Sequence, residues 1–193
     1  MVVPLIRNIL PEMPAIKGCI MPESPGKTIP PAGRRWILPV LILPMNALVF
    51  IPAVILWLTD YQWKANHFPL TVIGCILLLA GMGLAAWTMR LFHSVGQGTA
   101  APWDPPRRLI VAGPYRHVRN PMLASVFIMQ AAEALLLNSG AIFTLLVIFI
   151  IANMLYFPLM EEKSLEKRFG DPYREYKRNV PRWVPRLRPW RGT

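Results

Sequence analysis

Gly113-Pro-Tyr-Arg-His-Val-Arg-Asn-Pro-Met122 decides how this chain is read. The stretch separates long apolar runs, and it is basic, aromatic and pinned by prolines. Pro114 and Pro121 fix their own backbone and bias the residue before each away from helix. Ala112 to Asn120 should therefore form a short shaped segment, with a new helix opening on Pro121 in its first turn. Arg116 and Arg119 place two cations within four residues, with His117 between them able to add a third. A rigid basic turn before a helix N-terminus suits an anionic ligand, and it suits lipid headgroups equally.

Outward from this turn the chain is apolar. Four runs bear on the roughly 20 residues that cross a bilayer. They are Trp36 to Leu58, Pro69 to Leu91, Pro121 to Leu137 and Ala141 to Pro158. The third is short, roughly 25 Å by helical rise, and needs a thinner bilayer or its own flanks to span. The last two form a C-terminal helical hairpin closed by Asn138-Ser-Gly. Apolar residues make up 54% and charged residues 16%, yet the net charge is +11. The expected fold class is an all-α integral membrane protein with about four transmembrane helices.

Charge placement separates a membrane protein from a nucleic-acid binder. Residues 1 to 35 carry five Lys/Arg, the 94 to 120 loop four, and the tail from Leu159 onward ten. The 59 to 68 loop carries only Lys64, and the turn at 138 to 140 none. This alternation follows the positive-inside rule and predicts both termini to be cytoplasmic. Nucleic acid is not an expected partner. Cys19 and Cys75 are lone thiols, and His67, His93 and His117 lack ligand spacing, so neither a disulfide nor a metal is expected. The N-terminus does not read as a signal peptide.

Residues 1 to 35 hold seven prolines and read as a cytoplasmic or interfacial arm; residues 36 to 193 form the membrane domain. Pro39, Pro44 and Pro52 should kink the first helix. Gly74, Gly81 and Gly83 offer the second helix a face for close packing. In the 94 to 113 loop, Gln97 and Thr99 are donors and Trp103 an apolar lid, but its glycines are no dinucleotide fingerprint. Leu109-Ile-Val reads as a brief extended piece. Glu133 is an intramembrane carboxylate one turn from the outside end, where it can snorkel or pair with Asn138. Beyond Pro158 a surface helix is expected, with Glu161, Leu165 and Phe169 on one face and Gly170 as C-cap. Glu161 should face the hairpin beside Arg119, with Glu162 turned to solvent. The tail Val180-Pro-Arg-Trp-Val-Pro-Arg-Leu-Arg-Pro-Trp190 reads as a basic, aromatic strap for anionic lipid.

Two motifs now stand in order around a hairpin: Gly113-Pro-Tyr-Arg-x-x-Arg-Asn-Pro-Met122, then Glu161-Glu-x-x-Leu-x-x-x-Phe-Gly-x-x-Tyr-x-x-Tyr176 with Val180-Pro-Arg. Together they resemble the isoprenylcysteine carboxyl methyltransferase and phospholipid methyltransferase superfamily of integral membrane enzymes. The resemblance covers about residues 90 to 185. It implies S-adenosylmethionine bound in a cytoplasmic pocket within about residues 94 to 185. Arg107, Arg108, Leu109 and Ile110 would line the cofactor, with Tyr115 from the turn, Asn120, Pro121, Met122 and Leu123 from the helix start, and Glu161. Asn120 stands where many relatives have histidine, and Leu123 where they have an aromatic. Phe157 stands where prenylcysteine enzymes hold the substrate carboxylate with arginine, so another lipid-like acceptor is expected.

Methyl transfer from a sulfonium mainly needs alignment and exclusion of water. No nucleophilic side chain is required, in keeping with the lack of any Ser-His or Cys-His arrangement. Glu161 would hold the cofactor ammonium, and Arg119 would hold its carboxylate or orient Glu161. The rivals are a nicotinamide-dependent membrane reductase of the sterol-reductase type and a non-catalytic lipid-binding membrane protein.

Overall fold

The computed structural model describes residues 45–63, 67–96 and 106–192. The Pro-rich arm, the start of the first expected span with Pro39 and Pro44, and the loop bearing Gln97, Thr99 and Trp103 lie outside the described residues. Among the described residues all regular structure is helical, with no strand. Leu109, Ile110 and Val111 belong to no sheet but are buried.

Helix α1 (Ile51–Leu58) follows a π-helical turn, Asn46–Phe50. Helix α2 (Phe68–Leu91) runs on through a second π-helical turn, Phe92–Gly96. Helix α3 (Pro121–Leu136) opens on its proline as the sequence predicts, where the missing N–H costs nothing. After the turn at 137–139, the Ser139 hydroxyl accepts from the Ile142 amide and caps α4 (Gly140–Tyr156). Helices α5 (Glu162–Phe169) and α6 (Asp171–Asn179) complete the regular structure of the described residues. Gly170, with φ +63, makes the corner between them, in a region that glycine enters without a Cβ penalty.

Pro158 does not end the fourth apolar helix. The run from Gly140 to Phe169 is continuous over 30 residues, and Pro158 lies in its π-helical turn, Phe157–Glu161. A proline inside an α-helix loses one hydrogen bond and crowds the carbonyl four residues back; a π turn relieves that conflict. The consequence is that Glu161 and Glu162 are carried on the same rod as the apolar run.

Two helical runs, Phe68–Gly96 and Gly140–Phe169, are long and apolar enough to cross a membrane. At 1.5 Å per residue each is about 44 Å long, more than a hydrocarbon core of about 30 Å. Their flanks expose Ile76, Leu79, Phe143, Ile148, Ile151 and Leu155. A continuous apolar surface of this kind is stable against lipid and adhesive in water.

The buried seam lies between α2 and α3. Gly74, Gly81 and Thr88 recur every seven residues and are buried. A Cβ on Gly74 would stand 2.8 Å from the Leu136 side chain, and one on Gly81 2.6 Å from Met129 Cγ. Gly83, expected on the same face, meets nothing within 4 Å and lies outside the seam. Gly81→Leu should therefore cost about 1–3 kcal/mol by overpacking, and Gly83→Ala should cost nothing. Unfolding of both variants in detergent checks this.

Polar contacts tie the seam to its neighbours. Gln130 Nε2 donates to the Ala47 carbonyl at 3.1 Å. The Tyr61 hydroxyl donates to the Leu137 carbonyl at the far end of α3. Glu133 keeps Oε2 buried with no hydrogen-bond partner, so a pairing with Asn138 does not reach that oxygen.

Candidate functional site

The turn of 113–119 is seated on the end of α2. Gly113 has φ +53, and a Cβ there would stand 3.1 Å from both Trp87 and Leu91, so geometry and space both demand glycine. Gly113–Arg116 forms a short 3-10 helix whose Tyr115 is buried, its ring edge-on to Phe92 at 6.0 Å. Just before it, the Gly96 carbonyl accepts from the Arg107 amide at 2.9 Å and the Arg108 amide at 3.3 Å. Ile110 packs against Gly96, where a Cβ would come within 2.8 Å of its Cδ1. The segment from Arg107 to Ile110 is thus fixed at the end of α2 beside the turn.

Helix α6 closes the turn from the other side. The Tyr176 hydroxyl donates to the Tyr115 carbonyl at 2.7 Å. Tyr173, Tyr176 and Val180 bury against Leu109 and Val111, with Leu165, Phe169 and Trp190 around them. Burial pushes the Tyr115 hydroxyl well above its ordinary range, and the Glu161 charge adds to it. Burial likewise raises Tyr176, and pushes Tyr173 up to about 12 with Glu162 adding and Arg119 opposing. All three hydroxyls are therefore neutral at physiological pH.

The acidic pair behaves opposite to expectation. Glu162, expected in solvent, is 3% exposed. Its Oε1 lies 2.9 Å from Arg119 Nη1 and 2.6 Å from Arg182 Nε, and its Oε2 lies 3.2 Å from Lys177 Nζ. Lys177 also bonds Glu166 Oε1 at 2.6 Å, and that bond, against a smaller cost of burial, raises its pKa. The partner of Arg119 is thus Glu162, not Glu161. The correction has a simple cause. Leu165 and Phe169 lie at i+4 and i+8 from Glu161, but at i+3 and i+7 from Glu162, and both spacings share a helical face. Burial against α6 selects the second.

Glu161 is half-buried at the end of the π-helical turn, with no ion pair among the described residues. It is close enough to Tyr115 and Tyr173 to raise both hydroxyls. Arg119 ends the turn; its Nη1 meets Glu162 by distance without hydrogen-bond alignment, and its Nε is buried with no acceptor. Arg107 Nη2 is also buried with no acceptor. Asn120 starts α3 and its carbonyl accepts from the Ala124 amide at 3.1 Å. Pro121 is buried, while Met122 and Leu123 are half-buried in the first turn of α3.

The tail was missed as a structural part of the site. The Arg119 amide donates to the Pro181 carbonyl at 2.9 Å, the Arg186 amide to His117 at 3.0 Å, and the Trp190 amide to Arg116 at 3.0 Å. His117 Nδ1 lies 2.7 Å from the Arg186 carbonyl. Trp183 packs on Phe127 and Phe157. The one signal for this in the sequence is Val180-Pro-Arg-Trp, which reads equally well as a lipid anchor.

Two helices long and apolar enough to cross a membrane end beside one cluster of arginines and carboxylates, the layout of a helical membrane protein. The family model for phospholipid methyltransferase matches residues 70–172, just over half of the chain. The chain belongs to that family, within the superfamily of membrane methyltransferases. No curated protein and no solved structure matches it.

Proposed function

We propose that the protein transfers a methyl group from S-adenosylmethionine to a lipid-like acceptor with an amine or carboxylate head, at the cytoplasmic face of the membrane. One observation carries the reading: among the described residues Arg119 Nε and Arg107 Nη2 are buried without an acceptor, while Glu161, at the same end of the bundle, has no ion pair. Unsatisfied buried donors are costly unless a ligand meets them. Guanidinium donors with hydrogen-bonding capacity to spare, near an acid without an ion pair, complement an amino-acid zwitterion, which is one end of adenosylmethionine.

That cofactor supplies a methyl group already activated on sulfur. The chain's own task is to bind, align and keep water out. Glu161 accepts the ammonium, and Arg119 donates to the carboxylate while Glu162 holds it in place. Arg107, Arg108, Leu109 and Ile110, with Tyr115, form one wall, and Asn120, Pro121, Met122 and Leu123 form the floor at the start of α3. The acceptor enters from the bilayer beside the helical hairpin α3–α4. A carboxylate acceptor needs no base; an amine must lose a proton.

Four spans, with the first beginning before the described residues and both termini cytoplasmic, accord with the sorting of Lys and Arg. Reporter fusions after Lys64 and Ser139 should read outside and one at Thr193 inside; an outside C-terminus would overturn the arrangement. Because Phe157 packs on Trp183 at 5.9 Å where relatives use arginine, a farnesylated cysteine analogue should be turned over poorly or not at all. The deciding experiment titrates the purified protein with adenosylmethionine and with reduced nicotinamide cofactor, then assays methyl transfer to a membrane lipid extract by mass spectrometry. Adenosylmethionine binding with a methylated lipid product supports the reading. Nicotinamide binding would assign a reductase, and binding of neither a lipid-binding protein without catalysis.

A further inference from the structure

We propose that the strap of residues 181–190 is a two-sided clasp. Its inner side holds the turn of 116–119, and its outer side docks Val184 and Leu187 onto the anionic lipid of the leaflet at this end of the bundle. The strap lies beyond the residues that the family model matches.

The inner side is backbone. The turn donates once, from Arg119 to Pro181, and accepts twice, from Arg186 and Trp190. Arg116 Nε adds a bond to the Trp190 carbonyl at 2.8 Å, and Arg182 pins the start of the strap to Glu162. A displacement of the strap therefore pulls on the residue that carries the Arg119 guanidinium.

The outer side is apolar and cationic. Val184 is 75% exposed and Leu187 96% exposed, although the backbone on either side is tied down. Arg188 beside Leu187, and Arg178 on α6, are also exposed. Apolar side chains flanked by arginines are the pattern of a segment lying in a headgroup region.

Depth places this surface at the lipid boundary. Trp183 stacks on Phe127, in the second turn of α3, with ring centroids 5.8 Å apart. Phe127 meets Phe149 at 5.7 Å, and Phe149 precedes Phe157 by eight residues, about 12 Å of helical rise. Trp183 touches both Phe127 and Phe157, so the strap dips to the level where the apolar run of α4 ends. Val184, the next residue, cannot be far from that level. A second copy of the chain would also cover these side chains, but it would bring a second +11 charge against the first. An anionic leaflet brings the opposite charge.

The test uses the full chain with Cys19→Ser, Cys75→Ala and Leu187→Cys, carrying a nitroxide spin label at 187. At 96% exposure the replaced leucine supports no packing, so the change leaves the fold intact. The protein is reconstituted in vesicles of phosphatidylcholine alone or with added phosphatidylglycerol. With the anionic lipid the label should become accessible to oxygen and protected from a water-borne nickel reagent. Arg188→Gln should shift the ratio of docked to undocked label about fivefold towards undocked, the worth of one basic residue at such a surface. A label equally open to nickel in both vesicles would overturn the proposal, and so would spin–spin broadening that grows with protein density, which means self-association. No methyl transfer enters the readout, so the clasp and the proposed activity fail separately.

Discussion

Glu162→Gln should destabilise the protein by about 3–5 kcal/mol, the loss expected when one partner of a buried charge cluster is removed. The carboxylate is 3% exposed and answers Arg119, Lys177 and Arg182 from three different segments. Glutamine keeps the shape but not the charge. Arg119 and Arg182, with side chains 10% and 24% exposed, would then repel each other with little water to screen them. Glu166→Gln is the comparison. The Glu166 carboxylate pairs only with Lys177 among the described residues, and that pair is partly open to solvent, so its loss should cost about 0–1 kcal/mol. Detergent-solubilised melting curves of the two variants test the difference. Equal melting temperatures would mean that the Glu162 cluster contributes no more than a surface pair. Arg182→Gln combined with Glu162→Gln should cost less than the sum of the single changes, because the second removes a cation that the first left unpaired.

What the sequence disclosed divides along the line between local and distant interactions. The start of α3 on Pro121, the corner at Gly170 and the shaped turn at Gly113 follow from backbone preferences of single residues, and all three were legible. So was the apolar, all-helical character of the described residues. The continuation of α4 through Pro158 was not, because the π-helical turn that absorbs a proline has no pattern of its own. The choice between Glu161 and Glu162 turns on which helix packs on α5, and helical periodicity alone serves both. Tyr176 reaching the Tyr115 carbonyl spans 61 residues, and the strap reaches the turn over a similar distance. Contacts of that kind are decided by tertiary packing.

The same correction sharpens the expectation for Glu161. Had Glu161 been the partner of Arg119, a ligand ammonium would have to compete with that pair for its carboxylate. With Glu162 taking three cations, Glu161 is left as the half-buried acid without an ion pair among the described residues, beside the neutral hydroxyl of Tyr115. If it accepts the ammonium of adenosylmethionine, Glu161→Gln removes one charge-assisted hydrogen bond, worth about 1.5–3 kcal/mol, or roughly 10- to 150-fold in affinity. Stability should hold or rise slightly, because a half-buried charge without a partner is itself costly. The two acids are thus expected to separate cleanly: Glu162→Gln lowers the melting temperature, whereas Glu161→Gln weakens cofactor binding at unchanged melting temperature. Glu166→Gln, on the same helix but outside the site, controls for the loss of one negative charge near a cationic surface. Calorimetric titration of the three variants with adenosylmethionine, and with its demethylated product, reads the affinities. Unaltered affinity in Glu161→Gln, measured on protein that melts like the parent, would show that the ammonium is held elsewhere and would remove Glu161 from the site.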